Sequence, residues 1–498
     1  MNANRGDKAL GSTKRLKNAK KALRPSGTLL LLGLFLIGFA LRLPGLLFNG
    51  MGDLDEIHLV YGCSVRELGI AKGFGFDYGL FSYALYGIAV ALAERLPRYW
   101  WAPYKLMEVS FEVAALLALY VLLPARRRYL ALIMYWLNPW FILHGAWQGF
   151  WEGPHTLFAL IGILCLGRVP QVKISWALAG IAVMASAMFK PQGLLFFVIP
   201  LCIYLGLQFV LDGRLLLLWF TTGLLSLLGL ATMLLTAGGG DVLAIPRNYL
   251  TVAESWPNLC NDCINIWRPV TRILQVVLGQ TGLPTYMLQL PAPLHDSLDL
   301  LALSAVLALV VLFCLRIPSG AGQRRPDSEG QHGLPPHFSV FLVLAFSSLM
   351  IPQLGTRAHM NHAYAGLVLL IPFAAASRRI LAPWGAMVGI HFYSHLAAYQ
   401  LGRSIVLPQL YLDYPPAQSL ISQIQAALAA QTYDPLLEFQ AGVNQFLAHY
   451  LPSEPLVSVL SAVQFICLVL IAREMFGVTA QAMPGAILAS GLGRQADP

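Results

Sequence analysis

Long apolar runs recur along this chain from Thr28 to Phe476, and they restrict its fold more than any other feature. A run of about 20 apolar residues crosses the hydrocarbon of a bilayer as one helix. Backbone placed in lipid must satisfy its own hydrogen bonds, which a helix does within itself. Charged residues are only 11% of the 498, against 57% hydrophobic. An ordinary soluble domain carries about 25% charged residues, so this chain cannot cover a soluble surface. A disordered chain is excluded on the same composition. The expected fold is all-α, a polytopic transmembrane helical bundle of about twelve spans with long outer loops.

Hydropathy places the spans at 28–48, 104–124, 129–146, 153–167, 175–189, 192–210, 215–235, 297–315, 338–355, 362–377, 381–400 and 455–473. An even number puts both termini on one side. Every turn on that side is then basic: Arg126–Arg128, Arg168 with Lys173, Arg214, Arg316 with Arg324 and Arg325, Arg378 with Arg379, and Arg473. Cytoplasmic loops collect Lys and Arg, so that side is the inner one. Residues 1–27 carry eight basic residues against Asp7 alone. Standing directly before a span, they read as a cytoplasmic anchor, not as a nucleic-acid surface. Residues 80–96 are apolar enough to cross. A crossing there would put Arg126–Arg128 outside, so they are expected to form an amphipathic helix at the outer interface.

The resulting organisation is a basic tail (1–27), a membrane module (28–316), a polar Gly/Pro/Ser-rich linker (317–336), a second membrane module (337–476) and a C-terminal tail (477–498). Long outer segments at 49–103, 236–296 and 401–454 are where function is expected. No P-loop or dinucleotide fingerprint is present. Of the seven cysteines, Cys165, Cys202, Cys314 and Cys467 lie in apolar runs. Cys260 and Cys263 form the one close pair, with no second pair nearby to complete a zinc site.

The chemistry-bearing residues gather at outer span ends. Asp53, Asp55, Glu56 and His58 follow the first span, and crowded carboxylates near lipid have raised pKa values suited to accepting a proton. Glu152 is an acid near membrane depth, where acids are costly and are paired or functional. Gln148 stands beside it among tryptophans. Lys190 sits at an outer span end, against the positive-inside bias, where snorkelling is the alternative to a phosphate partner. Arg42 lies inside the outer end of the first span, positioned for Asp53, Asp55 or a lipid phosphate. Arg357, His359 and His362 share one outer turn. Two histidines without a third ligand are a weak metal signal, and phosphate binding suits Arg357 better.

Four stretches in this order resemble the GT-C superfamily of membrane glycosyltransferases, especially its polyprenyl-phosphate-mannose-dependent mannosyltransferases. They are GDLDEIHLVYG (52–62), NPWFILHGAWQGFWEG (138–153), FKPQ (189–192), and INIW (264–267) with TRAHMNHAY (356–364). The second is similar to an Asn-Pro…Gly-Gln-x-Asp pattern, with Glu152 where the family often has Asp. The chain departs from the family at Asp77-Tyr78-Gly79-Leu80, where Tyr-Pro-Pro-Leu is common. The resemblance implies inverting transfer of a hexose, mannose first, from a polyprenyl-phosphate sugar donor to a lipid or glycan hydroxyl on the non-cytoplasmic face. It makes Asp53 or Asp55 the general base, and Arg357, His359, His362 and Lys190 the groups that neutralise the leaving phosphate. Arg42, Glu56, His58, Gln148, Glu152, Gln192, Asn265 and Trp267 are its further substrate-binding candidates. A monophosphate leaving group held by cations requires no metal or other cofactor, although the Asp-x-Asp pattern also occurs in metal sites. The rival class is a transporter or lipid flippase, but no internal repeat is visible and the charges favour span ends. The absence of an Asn-x-Ser/Thr sequon favours a bacterial cytoplasmic membrane over an endoplasmic reticulum membrane.

The basic turns generate a topology test. Asp53→Cys and Asp55→Cys, made in a background without native cysteines, should label with an impermeant thiol reagent in intact cells. Labelling only after membrane disruption would reverse the orientation.

Overall fold

The computed structural model describes residues 25–48, 50, 58–75, 78–123, 127–168, 172–208, 214–251, 259, 263–281, 288, 290–317, 336–356, 358–402, 415–430, 434–451 and 454–481. The N-terminal tail, almost all of the linker, and Asp53, Asp55, Glu56 and Arg357 lie outside the described residues. Within them the chain is all-α, with no strand. The helices are α1 (Pro25–Leu47), α2 (Val60–Leu68), α3 (Leu80–Ala93), α4 (Ala102–Leu122), α5 (Gly153–Arg168), α6 (Val172–Phe189), α7 (Ile199–Gln208) and α8 (Arg214–Ala237). They continue with α9 (Trp267–Val277), α10 (Ala292–Arg316), α11 (Pro336–Leu354), α12 (Arg378–Tyr399), α13 (Pro415–Ala429), α14 (Pro435–Tyr450) and α15 (Glu454–Gln481).

Five helical stretches among the described residues are long and apolar enough to cross a membrane: Leu29–Leu47, Val172–Phe189, Leu215–Ala237, Pro293–Arg316 and Leu456–Gly477. The other expected spans fall on helices that are shorter, more charged or broken. Residues 128–147 are not one helix. A π-helical turn at Leu132–Trp136 is followed by a break at Asn138 and a restart at Pro139, and a second π-turn occupies Leu143–Trp147. Proline has no N–H to donate and disfavours helix in the residue before it. The Asn138 side chain accepts from the Trp140 N–H at 3.0 Å and caps the new start. Residues 362–377 are likewise divided, into Met360–Ala363, Tyr364–Leu369 and Ile371–Ala374.

The amphipathic helix expected over 80–96 is corrected. The helix is α3, and it is apolar on both sides. Its inner face buries Tyr83, Tyr86 and Val90 against α2 and α4, while its exposed positions are Ile88 and Leu92. What the structure corrects is thus the amphipathic character of this helix.

One apolar core runs through the molecule and includes residues on both sides of the linker. Phe313 of α10 stacks on Phe346 of α11 at 3.8 Å, and Phe476 of α15 meets Phe313 edge-on at 5.2 Å. A close helix crossing joins α6 to α8. A Cβ at Gly180 would overlap the Phe220 carbonyl oxygen, and one at Gly223 would overlap that of Ala177. Small residues let backbones approach in this way where helices pack in lipid. Gly180→Leu should therefore part α6 from α8 and lower stability by about 1–3 kcal/mol, the usual cost of overpacking. The thermal midpoint in detergent reads this out; an unchanged midpoint would show that the crossing yields freely.

Candidate functional site

The site is built at the end of the bundle where α1, α4 and α6 are joined to the chain reversals at 147–153, 190–193 and 355–362. Its foundation is a charged stripe on α4. Lys105, Glu108 and Glu112 are spaced i, i+3 and i+7, so they share one helix face, and all three are fully buried. The Lys105 ammonium donates to the carbonyls of Gly45 (2.8 Å), Phe48 (2.6 Å) and Trp147 (2.6 Å). It thereby caps the orphan carbonyls at the end of α1. Glu108 Oε1 accepts from the Gly153 N–H at 2.6 Å and the Glu152 N–H at 3.3 Å, capping the start of α5. Glu112 pairs with Arg42 at 2.8 Å. Arg42 also donates to the Trp136 carbonyl at 2.7 Å and lies 3.7 Å from the Trp136 ring centre. The second π-turn leaves Gly145 directly against α4, where a Cβ would overlap Glu112 Oε1.

Arg42 is therefore joined to Glu112, while Asp53 and Asp55, its expected partners, lie outside the described residues. Three other sequence candidates are also committed to the backbone. Gln148 donates to the His395 and Gln400 carbonyls and meets His395 Nδ1 at 3.0 Å. Asn265 donates to the Pro352 and Gly355 carbonyls, and the Trp267 indole donates to the Leu354 carbonyl at 2.7 Å. Asn265 and Trp267 close the end of α11 and so support the turn that follows it.

Around Lys190 the structure does bring the candidates together. Helix α6 stops at Phe189 because Pro191 cannot continue it. Lys190 is buried and paired with Glu152, so it does not snorkel. The His155 ring lies 3.3 Å from the other Glu152 oxygen. The Tyr78 ring faces the ammonium at 5.7 Å, within cation–π range. His58 packs against Tyr78 and stacks on Tyr86 at 4.4 Å, with Trp151 on another side. Burial, with the Lys190 charge added, lowers its pKa to about 3.

His359 and His362 meet the site through Gln192. The His359 N–H donates to His362 Nδ1 at 3.1 Å. Nε2 of His362 then carries the proton. It faces the Gln192 amide at 3.5 Å, and the Gln192 carbonyl oxygen is the group suited to accept it. The His359 pKa is lowered to about 4, by burial first and the Lys190 charge second. Both causes disfavour the cationic form expected of His359. Among the described residues no group of three or more His, Cys, Asp or Glu is placed to hold a metal ion. Cys263 is disulfide-bonded, while Cys165, Cys202, Cys314 and Cys467 are free thiols.

Sequence reading missed the α4 stripe, His144, His155, His391 and His395. The signal for α4 was available: three charges at one-face spacing inside an apolar run, where an ionisable residue is costly. The histidines had no such signal. His144, His391 and His395 converge only because the broken 138–147 stretch packs on α12, which puts His144 5.3 Å from His395 and Trp140 4.9 Å from His391.

No protein-family model matches the chain, and no curated protein matches it either.

Glu112→Ala would leave the Arg42 charge buried without its carboxylate. Breaking one side of a buried pair costs about 3–5 kcal/mol, whereas apolar replacement of both partners is often neutral. Chemical unfolding in detergent should show Glu112→Ala strongly destabilised and Arg42→Met/Glu112→Leu largely restored. Wild-type stability in Glu112→Ala would mean that the pair does not hold α1 to α4.

Proposed function

We propose that the chain is an integral membrane glycosyltransferase of about twelve spans, transferring a hexose, mannose first, from a polyprenyl-phosphate donor to a lipid or glycan hydroxyl on the non-cytoplasmic face. One observation carries the reading: Glu152, Lys190, Gln192, His359 and His362, drawn from three distant stretches of the sequence, meet at one end of one helical bundle. Lys190 stands there as a sheltered cation among tyrosine and histidine rings.

In this reading the acceptor oxygen attacks the anomeric carbon, its proton passes to Asp53 or Asp55, and the bond to the phosphate oxygen breaks with inversion. The polyprenyl phosphate leaves with the electron pair. Lys190 and Arg357 offset the growing charge, and preorganised groups of this kind often supply the largest part of catalysis. Glu152 holds Lys190 in place and shares it with the phosphate. Neutral His359 and His362 serve by hydrogen bonding. The carboxylate is an adequate base because bond formation acidifies the hydroxyl late in the reaction.

Purified protein supplied with radiolabelled polyprenyl-phosphate-mannose and candidate acceptors should transfer sugar. Asp53→Asn or Asp55→Asn should lower turnover by about 10²-fold or more, as loss of a general base does, with donor binding retained. Arg357→Ala should weaken donor use by about 2–4 kcal/mol. If both Asn variants transfer at the wild-type rate, neither carboxylate is the base. Lipid movement in liposomes without any sugar transfer would favour a flippase.

A further inference from the structure

Two helices near the site are inside out. In α9 the buried side chains are polar: Thr271 is 0% exposed, Gln275 1% and Arg268 5%. Its outward side chains are apolar: Ile273 is 64% exposed, Val276 68% and Val277 73%. The two sets occupy opposite faces at helical spacing. Two of the three buried polar side chains are used, since Arg268 donates to the Cys263 carbonyl at 3.0 Å and Gln275 accepts from Arg272 at 2.9 Å.

Helix α14 repeats the arrangement. Gln440 donates to the Leu401 carbonyl at 3.1 Å, and Asn444 accepts from the Leu401 N–H at 2.9 Å. These contacts fasten α14 to the end of α12. Phe439, Phe446 and Tyr450 share one stripe and are exposed. Glu438, Gln445 and His449 are exposed about a quarter turn away. The helix thus has three sides: one on protein, one apolar and one polar.

We infer that α9 and α14 lie in the plane of the membrane, in the leaflet at the site end, with their apolar faces in lipid and the polar flank of α14 in water. This rests on the membrane placement proposed above. Neither helix can cross: α9 has 11 residues and α14 has 16, about 16 and 24 Å at 1.5 Å per residue, against a core of about 30 Å. Amphipathic helices of this type settle at the headgroup–acyl boundary.

The lipid surface is favoured over a protein partner by continuity. Helix α9 packs on α15, and α14 ends at Tyr450, just before α15 begins. The exposed face of α15, with Val459, Val463, Ile466, Val469 and Leu470, belongs to a stretch of membrane-crossing length. The stripes on α9 and α14 therefore adjoin a surface that already faces acyl chains.

The test uses full-length protein in phosphatidylcholine nanodiscs, with Cys63, Cys165, Cys202, Cys314 and Cys467 replaced. Single variants Val276→Cys and Phe446→Cys carry a bimane label. Glu438→Cys is the water-side reference and Ile466→Cys the deep reference. Brominated lipid should quench positions 276 and 446 several-fold more than position 438, while iodide should quench position 438 best. Iodide quenching at 276 and 446 equal to that at 438 would overturn the inference. So would protection from both quenchers, which would mean that protein covers the faces. Loss of lipid quenching at Ile466→Cys would instead defeat the membrane placement itself.

Discussion

The buried charges of α4 are the constraint on which the site end of this molecule depends. A buried ionisable side chain must find partners, and Lys105, Glu108 and Glu112 find theirs on different neighbours. Lys105 takes the end of α1 and the corner at Trp147, Glu108 takes the start of α5, and Glu112 takes Arg42. One face of one helix thereby fixes where three elements end. Apolar packing alone could not do this, because dispersion is non-directional and tolerates sliding of one helix along another.

The Lys190 environment depends on that arrangement. Glu108 fixes the N-terminus of α5, and with it the backbone of Glu152, whose carboxylate holds Lys190. Burial first, with the Lys190 charge added, disfavours the charged form of the nearby His58 and His359 imidazoles. Among the described residues Lys190 is thus a buried cation beside imidazoles whose burial disfavours the charged form, which avoids crowding like charges in a buried space.

The polarity of α9 and α14 gives the same end of the molecule a second character. Their amides and guanidinium face the protein, where backbone carbonyls and N–H groups need partners, and their hydrocarbon faces away. A soluble protein would reverse this.

Hydropathy determined the helical class and the location of most of the long helices, because a long apolar run in lipid has no other way to satisfy its backbone, whereas α2, α9, α13 and α14 lie in outer segments where it placed no helix. Spacing also exposed some of the site: Glu152, Lys190 and the His359–His362 turn were legible as polar residues at span ends. Sequence alone could not decide partners. Arg42 meets Glu112, distant in the chain, since helix packing and not sequence distance sets which charges meet. The break at Asn138-Pro139 was visible as residues, but the π-turns around it are set by contact with α1 and α4. Asn265 and Trp267 read as sugar ligands until α11 arrived beside them with unsatisfied carbonyls. Local chemistry names the groups available, and only the tertiary structure assigns each buried donor to its acceptor, because every buried polar group must be satisfied at once.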